Sequence, residues 1–224
     1  MYDIIFISYN EVYAEENFAK LKERFPLVKR VSNVQGIHNA HIAAAKRSFT
    51  KMFWVVDADA IILDSFDFKY QIPGDWELET VHVWRSRNPV NNLEYGYGGV
   101  KLLPKKLTLA MDTSSIDMTT NISKNFKVMD EVSNITAFNT DEYSTWRSAF
   151  RECAKLAVIA DTEANERLDI WCNVAQGDYA EFAIKGACAG RSYGEKNASN
   201  PEALSKINDF TWLQDQWQAE KFQQ

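Results

Sequence analysis

An α/β fold, a mostly parallel central sheet flanked by helices in a single domain, is what these 224 residues predict, on three observations. Strand-like and helix-like segments alternate from Tyr2 to Val56. The third strand-like segment, Met52–Val56, is apolar at every position, as a strand covered on both faces must be. Hydrophobic residues make up 46% of the chain and aromatics 13%, enough to fill one well-buried domain and far from a disordered composition.

Taken in order, Tyr2–Ile7 is a short apolar run closed by the polar turn Ser8-Tyr9-Asn10. Val12–Arg24 sets Ala14, Phe18, Leu21 and Phe25 on one helical face, and Pro26 stops it. Leu27–Val31 reads as a second strand, and Gly36 opens an alanine-rich helix over Ile37–Ser48. With Met52–Val56 this is strand, helix, strand, helix, strand, the order that right-handed parallel crossovers produce. Leu78–Trp84 alternates as a strand, with a polar turn over Arg85–Pro89. Val100–Leu103 is a further strand and Phe126–Phe138 is extended. Asp112–Lys124, rich in Ser, Thr and Asn, reads as a loop or mobile lid. Asp141–Ala160 is the strongest helix, with Trp146, Phe150, Cys153 and Ala157 on one face and Thr145, Ser148, Glu152 and Lys155 in a polar stripe beside it. Gly186–Lys196 reads as a second lid, in which Gly190 and Gly194 are hinges and Arg191 is a phosphate ligand. From Pro201 an amphipathic helix carries Leu204, Ile207, Phe210, Leu213 and Trp217.

The charge balance narrows the function classes. With 25 basic and 31 acidic residues the formal charge is −6, which excludes a nonspecific nucleic-acid coat but leaves room for a local basic groove. Trp84, Arg85, Arg87, Tyr95 and Tyr97, with Lys101, Lys105 and Lys106, suit such a groove, and equally suit sugars or an ordinary surface, with Trp84 also fitting the core. No run of about 18 apolar residues occurs, so no membrane partner is expected. Ile4–Ile7 is too short for a signal peptide. Three widely spaced cysteines, Cys153, Cys172 and Cys188, suit a reducing, cytoplasmic setting.

The sharpest chemical feature is Asp57-Ala58-Asp59, directly after the most apolar strand. A D-x-D triplet arises by chance roughly once in a chain of this size. Its position gives it weight, because ligands collect at the carboxyl ends of strands in open α/β sheets. Two adjacent acids there call for a cation. Oxygen ligands suit Mg²⁺ or Mn²⁺, completed by the phosphates of a substrate. The competing reading is a turn in which Asp59 caps the next element of the chain.

The order strand, Ser8-Tyr9-Asn10-Glu11, helix, short strand, Gly36-Ile37-His38-Asn39-Ala40-His41 helix, apolar strand, Asp57-Ala58-Asp59 resembles GT-A (Rossmann-like) glycosyltransferases of the family 2-like group. Phe53–Asp59 and Thr145–Glu152 look like small bacteriophage-encoded members. The resemblance implies that Ser8, Tyr9, Asn10 and Glu11 hold the nucleotide base of a UDP-sugar donor. It sets His41 and His38 near the diphosphate, where the family often has Arg. It assigns Asp57 to the ribose or metal and Asp59 to the metal directly. It implies a carboxylate base in the Asp141–Ala160 helix, with Asp141, Glu142 and Glu152 as candidates and inverting and retaining chemistry both open. Residues 1–63 would then be the nucleotide-sugar half, 64–200 the acceptor and catalytic half, and 201–224 a C-terminal helix. The implied acceptor is a hydroxyl, in some relatives a hydroxymethylated pyrimidine of phage DNA, which would place the protein in a host cytoplasm.

Two other readings compete. A haloacid-dehalogenase-like phosphatase also carries D-x-D after an apolar strand, but its later G-D-x-x-x-D fails here, since Phe182 stands where the second Asp is needed after Gly177-Asp178. A non-catalytic glycan- or DNA-binding module would leave Asp57 and Asp59 dispensable.

Overall fold

The computed structural model describes residues 1–96, 98–113 and 118–221. Tyr97 of the expected groove and residues 114–117 of the first expected lid lie outside them. The chain gathers into two compact units, Met1–Arg87 with Glu94–Ala137, and Asn88–Leu93 with the chain from Phe138 onward.

The first unit runs β1 (Asp3–Ser8), α1 (Ala14–Arg24), β2 (Lys29–Ser32), α2 (Ile37–Arg47), β3 (Met52–Asp57), β4 (Ala60–Ile62), β5 (Val81–Arg87), β6 (Glu94–Tyr95), β7 (Val100–Pro104), α3 (Lys105–Ala110), α4 (Met118–Ile122) and β8 (Phe126–Thr136). Its sheet has the strand order β2-β1-β3-β7-β5-β8-β4, with β6 paired to β5. The parallel start is as the alternation predicts: β1 pairs parallel with β2 and with β3. The sheet as a whole is mixed rather than mostly parallel. β7 lies antiparallel between β3 and β5, β4 is antiparallel to β8, and only β5–β8 adds another parallel pair. Strands after β3 are joined without a full crossover helix, which frees them to run either way.

Period-two alternation sends β3 into two cores. Met52, Trp54 and Val56 join Ile4, Phe6, Trp84 and Leu102 on the α1 side. Phe53 and Val55 join Ile5, Val31, Val83 and Leu103 on the side of α2 and α4. Trp84, expected in the groove, is buried here with its ring 4.5 Å from that of Trp54. Arg85, Ser86 and Arg87 continue β5 rather than turning. Part of the first expected lid is α4, whose Met118 and Ile122 are core residues.

The second unit is helical among its described residues: α5 (Glu142–Ile159), α6 (Thr162–Asn173), α7 (Ala180–Asn197), α8 (Pro201–Ser205) and α9 (Phe210–Lys221). The second expected lid is the body of α7. Gly186, Gly190 and Gly194 recur every fourth residue on one face, against Trp146, Phe150 and Ala154 of α5. A β-carbon at any of the three would run into a main-chain carbonyl oxygen there. The glycines therefore permit close helix packing and are not hinges. Thr145 leaves the expected polar stripe: it is fully buried and donates to the Asp141 carbonyl at 2.7 Å. The single C-terminal helix is broken, because Asn200 caps α8 and the Asp209 carboxylate accepts from the Thr211 and Trp212 amides to start α9. Leu204, Ile207, Leu213 and Trp217 are buried as expected, whereas Phe210 is exposed.

Candidate active site

Strand order 2-1-3 sends the chain to one side of β1 and then to the other, so the topological switch point lies between β1 and β3. That is where open α/β sheets bind ligands. The β1–β3 register sets Ile7 opposite Asp57, which brings the carboxyl end of β1, with Ser8–Glu11, beside Asp57-Ala58-Asp59. One side chain and two main-chain bonds hold this corner. Asn17 of α1, buried, donates to the Ala58 carbonyl at 2.8 Å. The Asp57 amide donates to Gly99 at 2.9 Å, and the Asp59 carbonyl accepts from Ala137 at 2.7 Å.

A lysine completes the corner. Lys101 of β7 is 2% exposed, and its ammonium donates to both Asp57 oxygens at 2.9 and 2.8 Å and to the Gly98 carbonyl. Burial raises the Asp57 carboxyl above the usual Asp range, opposed by the Lys101 charge. The Asp59 carboxyl is pushed up to about 7, first by burial and then by the charges of Asp57 and Glu11. The ammonium is thus committed to Asp57, while Asp59 feels the negative charge of both Asp57 and Glu11.

α2 brings its histidines to the same side of the sheet. His41 is fully buried, its Nδ1 2.8 Å from the Ile37 carbonyl. Burial, with Lys101 adding to it, holds the imidazole well below its ordinary range, so His41 is neutral. Its Nε2 and that of His38 are buried without a hydrogen-bond partner. His41 therefore lies beneath the corner, while His38 is only partly buried.

At the end of β1, Tyr9, Asn10 and Glu11 are exposed, and the Glu11 carboxylate accepts from the Tyr9 amide at 2.7 Å. The Ser8 hydroxyl accepts from Arg30 Nε at 3.0 Å, and Arg30 is also paired with Glu15 and lies over the Phe18 ring. Behind Gly99, the buried Asn134 amide oxygen accepts from the Ser86 and Ser133 hydroxyls, each at 2.8 Å. A β-carbon at Gly99 would strike that amide.

The remaining sequence-derived residues fall elsewhere. Asp141 is the N-cap of α5: its carboxylate accepts from the Ser144 amide and hydroxyl, each at 2.7 Å, and these bonds hold its pKa low against the opposing effect of burial. Glu152 is mid-α5 with a side chain 15% exposed, 3.9 Å from Lys155. Arg191 pairs with Asp169 at 3.0 Å and Glu195 at 2.9 Å, which raises its pKa further and commits its guanidinium to carboxylates. The basic groove is not assembled as expected: Arg85 pairs with Asp130, Arg87 with Glu94, Lys105 with the Ser48 carbonyl, and Lys101 is internal.

Sequence reading missed Arg30, Asn17 and Asn134, and misplaced Lys101. One signal existed: a lysine inside the apolar run Val100–Pro104 requires a buried partner.

Among the described residues no group of three or more His, Cys, Asp or Glu forms a metal nest, and no helix is long and apolar enough to cross a membrane. No protein-family model and no curated protein matches the chain. Among solved structures it is similar to HddC from Yersinia pseudotuberculosis, at 13% identity over 59% of this chain and 92% of that one, with a TM-score of 0.38.

Proposed function

We propose that this protein transfers a sugar from a nucleotide-diphosphate donor, most simply a UDP-sugar, to an acceptor hydroxyl with the help of Mn²⁺ or Mg²⁺. The observation that carries this reading is the pairing of the Ser8–Glu11 turn with Asp57-Ala58-Asp59 at the β1/β3 switch point. Asp59 fits a divalent cation: burial first, and then the charges of Asp57 and Glu11, push its carboxyl up to about 7, and a cation relieves that repulsion. With one protein carboxylate, the other ligands of such an ion come from diphosphate and water, as Mg²⁺ prefers. The bound metal would neutralise the diphosphate leaving group.

The chain's own residues supply the rest. Ser8, Tyr9, Asn10 and Glu11 line the base and ribose side, with Arg30 fixing the Ser8 hydroxyl. Asp57, clamped by Lys101, orients the ribose, and His38 faces the diphosphate over neutral His41. Among the base candidates, Asp141 has its carboxylate engaged in capping, and Glu152, mid-helix, is the first to test as base. The hydroxymethylpyrimidine acceptor rests on the family resemblance.

Thermal melting tests the donor site. UDP with Mn²⁺ should raise Tm, by about 2.7 kcal/mol of added stability at 100-fold saturation, and Asp59→Ala should abolish the rise. No rise with any nucleotide–metal pair would overturn the reading. Mass spectrometry of nucleosides from hydroxymethylated DNA, incubated with a panel of sugar nucleotides, tests the acceptor.

A further inference from the structure

The three cysteines that look unrelated in sequence converge in the helical unit. Cys153 lies on α5, Cys172 near the end of α6 and Cys188 in α7, all with free thiols. Burial pushes the Cys153 thiol well up, and Glu152, Cys172 and Cys188 add to that rise. Cys172 and Cys188 are closer still. Cys188 Sγ is 3.9 Å from the Cys172 carbonyl oxygen, which brings the exposed thiol of α7 against the end of α6.

Their surroundings differ in the way a thiol–disulfide pair requires. Cys188 is exposed, so a small oxidant in solvent reaches it first, while Cys172 is half-buried and Cys153 is closed off. Arg191, one turn further along α7, pairs with Asp169 and Glu195. Burial, and then Cys188, push the Cys172 thiol up to about 11, against which the Arg191 guanidinium works. Arg191 thereby has a position in this cluster that the sequence did not suggest.

We propose that Cys172 and Cys188 are an oxidisable pair that closes to an α6–α7 disulfide when the protein meets a hydroperoxide. In the first step the Cys188 thiolate attacks the peroxide. An S–O bond forms, the O–O bond breaks, and hydroxide leaves, taking a proton to become water when the oxidant is hydrogen peroxide. In the second step the Cys172 thiolate attacks the sulfenic sulfur of Cys188. The S–S bond forms, the S–O bond breaks, and hydroxide leaves, taking up a proton given up by the thiols to become the second water. Two thiols and one peroxide thus give one disulfide and two waters, with both sulfurs oxidised and the peroxide oxygens reduced.

The test uses the whole folded chain. It is treated with hydrogen peroxide, free thiols are alkylated, and trypsin cleaves after Lys185, between the two cysteines. The expected product is a cross-linked peptide pair joining Cys172 to Cys188, lost on treatment with dithiothreitol, with Cys153 alkylated only after unfolding. In Cys172→Ser the cross-link should vanish and a sulfenic acid on Cys188 should become trappable by dimedone. Absence of the Cys172–Cys188 cross-link in the wild-type chain, its replacement by a Cys153 cross-link, or oxidation that yields only dimers through Cys188 would each overturn the proposal. The wild-type mapping stands whether or not the variant folds.

Discussion

Lys101 grips Asp57 from the neighbouring antiparallel strand, its ammonium 2.8 and 2.9 Å from the two carboxylate oxygens and nearly sealed from solvent. Burying a lysine is costly, and a carboxylate that accepts two charge-assisted hydrogen bonds offsets much of that cost. The pair fixes the first acid of the D-x-D triplet and leaves the second as the acid without a counter-charge of its own.

Removing the ammonium should therefore strand a charge. Lys101→Met keeps the length and apolar stem but leaves Asp57 unpaired. We expect a loss of about 2–4 kcal/mol in urea unfolding, below the full range for breaking a buried pair because Asp57 retains some solvent contact. Lys101→Met combined with Asp57→Asn should recover part of the loss, whereas additive losses would mean the two residues do not act as a pair.

The raised Asp59 carboxyl gives stability a pH signature. An acid that titrates near 3.8 in the unfolded chain and near 7 in the folded one binds its proton more tightly when folded. Between those values the folded state holds more protons than the unfolded state, so this group makes stability fall as pH rises from about 4 to about 7. Asp59→Asn removes that titration. Its stability relative to wild type should climb across the window, and a constant difference would contradict the placement. Proton release on binding Mn²⁺ with UDP should likewise be greatest below about pH 7 and fade above it.

Close packing of α7 on α5 makes Gly190→Ala destabilising despite the better helix former. The gain in helix propensity is about 1 kcal/mol. A β-carbon driven into the Phe150 carbonyl costs about 1–3 kcal/mol or more, because a main-chain oxygen within a helix cannot step aside. Ser192→Ala, on an exposed position of the same helix, should be neutral or slightly stabilising. Equal effects of the two substitutions in thermal unfolding would show that Gly190 is not at a contact.

Asp141 and Glu152 separate by charge and cap. Asp141→Ala should lose about 1 kcal/mol, and Asp141→Asn only a few tenths, since Asn caps nearly as well. Glu152→Gln should leave stability within about 0.5 kcal/mol while lowering kcat for sugar transfer. Full transfer activity in Glu152→Gln would remove it as the base.

Much of the first unit was legible because its signals are local. Period-two and helical spacings from β1 to β3 are read within a few residues, and Asp57 and Asp59 follow from where the apolar run stops. Glycine was the opposite case. Gly186, Gly190 and Gly194 look the same in sequence whether they bend a loop or admit a neighbouring helix, and only α5 distinguishes the two. Arg191 looked available for phosphate until Asp169, on another helix, was beside it. Thr145 looked polar and outward until the packing of α5 enclosed it.

By itself, then, the sequence determined the alternating start, the doubly covered strand β3 and two carboxylates at its end, since each depends on the order of neighbouring residues. Tertiary structure alone decided that β7 runs antiparallel beside β3, that Lys101 is the counter-ion of Asp57 from 44 residues away, and that Cys172 meets Cys188. Strand direction, charge pairing and thiol proximity are set by which distant segments pack together, and the free energy of that packing is shared across the fold rather than written in any one stretch.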